Sequence, residues 1–195
     1  SSGENGVSLF VCPADTDGIQ RSLLPTMDQS RRQAAIELTD LRLPAESVMG
    51  ELGTAAKALS KVLDLATIAL AAEQAGGMQQ ILDITVDYTK NRSQFGRSIA
   101  GFQAIKHKAA DMMLRNEVAR SAVYYAACIA DDALSAGPLA DELAEAASIA
   151  KCYCSEAYFK NAGEALQMHG GVGFTWEYDV HLYFKRAKAS EHFLG

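Results

Sequence analysis

The sequence is poor in the features that mark exported, metal-bound or membrane-spanning proteins. Four cysteines and four prolines are spread over 195 residues. Cys12, Cys128, Cys152 and Cys154 form no CxxC pair and lack the density of an extracellular disulfide framework, so reduced thiols are expected. Cys152 and Cys154 would project from a helix about 200° apart, which makes joint chelation difficult, and no metal site is expected. No uninterrupted apolar run approaches the roughly 18 residues of a membrane span. The first residues, Ser1-Ser2-Gly3-Glu4-Asn5, lack the basic and apolar regions of a signal peptide, so a soluble, cytoplasmic protein is expected. Basic charge is also in deficit: 18 Lys and Arg against 24 Asp and Glu give −6, which argues against a general nucleic-acid binder. What is present, 49% hydrophobic and 22% charged residues, is ordinary globular usage and excludes disorder.

The chain divides by periodicity into residues 1–48 and residues 49–195. In the first part, Val7 to Val11 is rich in strand-forming residues, Asp15-Thr16-Asp17-Gly18 reads as a turn, and Ala35 to Leu43 alternates before Pro44. Two or three strands cannot bury a core of their own. This segment is therefore expected to complete a sheet whose other strands lie outside the sequence.

From Gly53 onward the period is helical. A proline-free stretch over 56–92 carries Leu59, Val62, Leu63, Ala66, Leu70, Met78, Ile81, Leu82 and Thr85 largely at three- and four-residue steps. Gly76-Gly77 should interrupt it, at about 1 kcal/mol per glycine relative to Ala, either for a close helix crossing or for approach of a ligand atom. A second helix is predicted over 102–134, with a seam through Ile105, Ala109, Met112, Asn116, Ala119, Val123, Ala126, Ala130 and Ala133. Gly137-Pro138 breaks the chain before a third helix over 139–168, whose seam uses Leu143, Ala147, Ala150, Cys154, Ala157 and Asn161. A fourth helix is predicted over 179–193, capped by Asp179. The expected fold is mainly α, an up-down four-helix bundle preceded by a short β segment.

Two segments carry chemistry. In Arg92-Ser93-Gln94-Phe95-Gly96-Arg97, Arg92 offers a planar fork of donors suited to phosphate, Gln94 an amide and Phe95 an aromatic face. The plain alternative is a cationic helix C-terminus that answers the helix dipole. In Gln167-Met168-His169-Gly170-Gly171-Val172-Gly173, three glycines let backbone amides lie against a ligand, although a simple interhelical turn needs glycines too. This is neither a P-loop nor a dinucleotide fingerprint, because it lacks the lysine and follows a helix. His169 adjoins this turn and could reach a bound cofactor, whereas His107 and His192 are expected in solvent.

Taken in order, these segments resemble the acyl-CoA dehydrogenase family over nearly the whole chain. Glu37 to Ala45 followed by Val48-Met49-Gly50 looks like the exit from that family's middle β-domain, and the bundle looks like its C-terminal domain. Arg92 to Gly96 matches the family's RxxFG element, and Gln167 to Gly171 its QxxGG element. The resemblance implies a flavoenzyme. FAD would accept a hydride from the β-carbon of an acyl-CoA while a glutamate removes the α-proton, giving a trans-2-enoyl-CoA. It further implies an oligomer, homomeric or heteromeric, in which one subunit completes its neighbour's FAD site, with an electron-transfer flavoprotein as electron acceptor. Arg92 would bind the FAD pyrophosphate, with Gln94, Phe95 and Gln103 alongside. Gln167, Gly170 and Gly171 would hold the ADP part, and Asp64 lies where the family can contact the pantetheine arm.

The chain departs from the family at the base. The two positions where the resemblance places the proton-accepting glutamate are Leu194 and Ala66, and neither side chain can accept a proton. Glu73, two helical turns beyond Ala66, is the candidate left, and its alternative reading is a polar residue at a subunit or cofactor edge. A catalytically silent subunit, which completes a partner's FAD site and scaffolds a hetero-oligomer, is therefore the second expectation.

Overall fold

A computed structural model of the chain describes residues 6–194. Two compact units result, Ser1–Leu63 and Asp64–Gly195, and the division falls inside the first helix. In the first unit, β1 (Leu9–Phe10) pairs antiparallel with β4 (Val48–Met49), and β2 (Ile19–Leu23) with β3 (Ala34–Leu38). The expected strand over 35–43 ends at Leu38, because Asp40 takes a left-handed φ of 49° and turns the chain. Strand β2 escaped the sequence reading: Ile19-Gln20-Arg21-Ser22-Leu23 has no apolar alternation of buried quality. It owes its place to its partner, through the register Ile19↔Leu38 to Leu23↔Ala34. Leu23, Ile36 and Leu38 on this ribbon are all exposed.

The second unit is a bundle of α1 (Ala56–Asn91), α2 (Gln103–Leu134), α3 (Leu143–His169) and α4 (Val180–Glu191). A tight hairpin, β5 (Ser93–Gln94) with β6 (Arg97–Ser98), joins α1 to α2. The seams follow the predicted periodicity: Met112, Asn116, Ala119, Ala126, Ala130 and Ala133 of α2 are buried, as are Leu143, Ala147, Ala150, Cys154, Ala157 and Asn161 of α3. So many small residues let the backbones approach, which suits close ridge-in-groove packing. Helix α3 begins four residues later than predicted. A 3-10 turn over Ala140–Glu142 precedes it, and the carboxylate of Asp132 accepts from the Leu139 N–H at 2.7 Å to stabilise that bend. Asp179 stands at the N-cap of α4 but makes no capping hydrogen bond through its side chain, so the expected cap is positional only.

Polar side chains within the core fix the helix register. Asn161 Nδ2 donates to Asn116 Oδ1 at 2.7 Å and to the Met112 carbonyl at 3.1 Å, while Asn116 Nδ2 donates to the Met78 carbonyl at 3.1 Å. Arg115 donates to Asn161 Oδ1 at 3.0 Å, and Gln74 Nε2 donates to Ser155 Oγ at 3.1 Å. A slip of any of these helices would leave buried amides unpaired, at roughly 1–3 kcal/mol each. Helix α2 also bears a second apolar side, on which Met113, Leu114, Val118, Tyr124 and Tyr125 are exposed. Val62 and Leu63, counted in the α1 stripe, are exposed as well. Among the described residues no helix is long and apolar enough to cross a membrane, and no group of three or more His, Cys, Asp or Glu is placed to hold a metal ion. Cys154 is buried, which pushes its thiol up to about 11, whereas Cys152 is exposed.

Gly76 and Gly77 do not interrupt α1, which runs unbroken through both. A methyl group at Gly77 would stand 2.6 Å from Cζ and Oη of the buried Tyr158 ring, so this glycine serves a close helix crossing. Gly77→Ala should lower stability by about 1–3 kcal/mol, the usual cost of overpacking, read as a reduced melting temperature. An unchanged melting temperature would show that the α1–α3 crossing has room to spare.

Candidate cofactor-binding site

The last turn of α1 is stopped by the hairpin that follows it. Ser98 Oγ donates to the carbonyls of Thr89 and Lys90, both at 2.9 Å, and the Ile99 N–H donates to the Arg92 carbonyl at 2.8 Å. These bonds satisfy acceptors that a helix end leaves open. The register Ser93↔Ser98 and Gln94↔Arg97 leaves a two-residue loop, Phe95-Gly96, with φ of 54° and 75°. Positive φ at both central residues is the signature of a type I′ turn. Gly96 adopts it freely, but a bulky aromatic does so only at a cost of order 1–3 kcal/mol. Phe95 is nevertheless 91% exposed, so no burial among the described residues offsets that strain. It meets Phe102 edge-on at 6.1 Å, and the Phe102 ring lies 4.0 Å under the Arg97 guanidinium.

Arg92, Gln94 and Gln103 are exposed around this tip. Gln94 Nε2 donates to its neighbour's carbonyl at 2.8 Å, and Arg92 has no ion pair among the described residues. Helix α2 starts at Gln103 with no side-chain cap, which leaves the positive end of its dipole beside the arginine corner.

The glycine turn lies at the end of α3. Gly170 has φ 63° and ψ −145°, a combination essentially restricted to glycine, and its N–H donates to the Gln167 carbonyl. Gly171 has no such excuse: its φ is not positive and nothing lies within 4 Å of where a Cβ would stand. Both glycines and Gln167 are exposed. His169, expected near a ligand, is instead buried. Its Nδ1 lies 2.7 Å from the Ala165 carbonyl, and its Nε2 is buried without a hydrogen-bond partner.

These two corners meet. The Tyr88 hydroxyl, one turn before Arg92, donates to the His169 carbonyl at 3.2 Å, and the two rings stack at 4.1 Å. Tyr178 closes the cluster, edge-on to Tyr88 at 5.5 Å. Sequence reading passed over Tyr88 and Tyr178, since nothing in their spacing shows that α1 and α3 end side by side. The result is a surface with a guanidinium, three amides, an uncapped helix start, an open glycine turn and an exposed aromatic. That donor set fits a dinucleotide: cationic and N–H groups for the pyrophosphate, a bare backbone for the adenosine part and a flat apolar face beside it.

Comparison with known proteins decides the lineage. Residues 52–195 match the family model described as the acyl-CoA dehydrogenase, C-terminal domain. The chain belongs to the acyl-CoA dehydrogenase family. Among its relatives is the acyl-CoA dehydrogenase IpdE2 of Mycolicibacterium smegmatis, 38% identical over 172 residues that cover 88% of this chain and 47% of that protein. Among solved structures, butyryl-CoA dehydrogenase from Megasphaera elsdenii superposes with a TM-score of 0.90 at 31% identity, over 100% of this chain and 49% of that one. A glutaryl-coenzyme A dehydrogenase in complex with glutaryl-CoA gives 0.89 at 28% identity, over 100% and 48%. The chain thus spans about half the length of the acyl-CoA dehydrogenases it matches.

The structure also describes the two positions where the family resemblance places a base. Leu194, half-buried with a left-handed φ of 60°, and the half-buried Ala66 have no titratable group. The Glu73 carboxylate accepts a hydrogen bond from Arg186 Nε at 2.8 Å, in an ion pair between α1 and α4. Lys151 Nζ donates to the Glu191 carbonyl at 3.0 Å, so α4 is also tied to α3 near its C-terminus. Asp64 is half-buried at the start of the second unit.

Burial pushes the His169 imidazole below its ordinary value near 6.5, against the opposing effect of its bond to the Ala165 carbonyl. The folded protein holds this ring neutral, whereas the unfolded chain takes up a proton once pH drops below about 6.5. The contribution is therefore fully present above that pH and is lost as pH falls further. Denaturant unfolding at pH 7.5 and pH 5.5 should show a smaller loss for His169→Gln than for the natural protein, and an equal loss would refute this assignment.

Proposed function

We propose that this chain is the C-terminal part of a FAD-dependent acyl-CoA dehydrogenase, acting in the cytoplasm on an acyl-CoA thioester within an oligomer. The observation that carries the reading is the corner where Tyr88 joins the arginine tip to the glycine turn, with every ligand-suited group there facing outward. When bound, FAD would supply the hydride acceptor for α,β-dehydrogenation of the thioester. Arg92, aided by Gln94, Gln103 and the start of α2, would hold the pyrophosphate. Gln167, Gly170 and Gly171 would hold the ADP part, and Phe95 would cover an apolar edge and exclude water. Asp64 would meet the pantetheine arm of the substrate.

Donors that are all exposed on this chain leave the other side of a dinucleotide uncovered, so the flavin they grip would be seated mainly in a neighbouring protomer. The exposed apolar side of α2 supports such assembly, because a helix apolar on two sides is ordinarily buried on both. An electron-transfer flavoprotein would accept the electrons.

A second reading has its own support. With leucine and alanine at the base positions and Glu73 held by Arg186, this chain would complete a partner's flavin site and stabilise it without abstracting the proton itself.

In the intact protein, Arg92→Ala should weaken FAD binding about tenfold or more, the worth of a charge-assisted phosphate contact, read as flavin absorbance after gel filtration. Full flavin retention would remove the arginine corner from the site. Bleaching of the flavin by acyl-CoA in the homomer supports the first reading, and bleaching only after a second subunit is added supports the other.

A further inference from the structure

Tyr88 is bonded into both corners of the candidate site. Its backbone carbonyl accepts from the Arg92 N–H at 2.8 Å, so it belongs to the helical turn that carries the arginine. Its hydroxyl donates to the His169 carbonyl at 3.2 Å. That carbonyl shares a peptide unit with the Gly170 N–H, which donates to the Gln167 carbonyl. The peptide entering the glycine turn is therefore clamped at both ends, by a side chain from α1 and by the backbone of α3. Stacking of the Tyr88 and His169 rings, 20° from parallel, holds the clamp in place, and the edge of Tyr178 blocks rotation of the tyrosine.

We propose that Tyr88 is a positioning residue that sets the spacing between Arg92 and the Gly170-Gly171 turn, matching it to a ligand that engages both corners, and so selects FAD over flavins that lack the adenylate. The inference rests on the reading that these corners hold the dinucleotide. Gly170 sits in a backbone region open to glycine alone, so without the clamp the turn can relax and the spacing becomes variable. A ligand that spans both corners then meets a less organised surface, which costs affinity, whereas one that touches a single corner is indifferent to the spacing.

The test compares FAD and FMN binding to the intact protein by flavin fluorescence quenching for the natural protein, Tyr88→Phe and Tyr178→Phe. Tyr88→Phe keeps the stacked ring and removes only the hydroxyl. FAD affinity should fall about fivefold, one hydrogen bond's worth, with FMN affinity unchanged. Tyr178→Phe should leave both affinities unchanged. A merely structural role for Tyr88 would weaken both flavins alike. Equal losses, or no loss, in Tyr88→Phe overturn the inference, and if Arg92→Ala still weakens FAD in the same assay the underlying reading stands. If Arg92→Ala also has no effect, the reading and the inference fall together.

Discussion

The hydrogen-bonded amide pair Asn116 and Asn161 is the constraint on which the bundle turns. The seams of α2 and α3 are built largely from alanine, and alanine ridges interlock without strongly preferring one axial register over another. A buried amide supplies the preference, since only one register lets Asn161 reach both Asn116 and the Met112 carbonyl while Asn116 reaches the Met78 carbonyl. Three helices are thereby fixed relative to one another, and the buried Gln74–Ser155 bond adds to the same restraint between α1 and α3. The position of the far ends follows. Helices α1 and α3 finish side by side, and the stacking of Tyr88 on His169 is possible only because the register upstream is set.

That end of the bundle carries two features that nothing packed around them among the described residues explains. Phe95 holds a left-handed conformation while 91% exposed, and Gly171 lacks a side chain although nothing nearby forbids one. Strain without burial and a bare backbone without crowding are what the proposed reading expects of a surface completed from outside the chain. Under the reading proposed above, a cofactor shared with a neighbouring protomer would supply the reason. The buried Nε2 of His169, unpaired just behind this surface, adds a cost that is confined to the same corner.

Much of this was legible in the sequence. The four helices and their buried seams follow from three- and four-residue spacing of small apolar residues, whereas the RxxFG and QxxGG segments gain a specific reading only through the family resemblance. What escaped depended on partners distant along the chain. Ile19–Leu23 is a strand because Ala34–Leu38 pairs with it, and Tyr88 matters because His169 lies across from it. Gly76-Gly77 misled because intrinsic propensity counts glycine as a breaker, whereas packing against Tyr158 makes the bare backbone at Gly77 an asset. The same limit applies to Glu73: its helical position allows either a base or a polar edge residue, and its ion pair with Arg186 is visible only in the fold.

If the arginine tip and the glycine turn grip a flavin seated in a neighbouring protomer, cofactor retention and assembly must be one equilibrium. Serial dilution of the intact flavoprotein, with mass photometry and released-flavin fluorescence followed on the same samples, tests that directly. The account predicts that flavin is released over the concentration range in which the oligomer dissociates. Protomers that separate while keeping their FAD would contradict it.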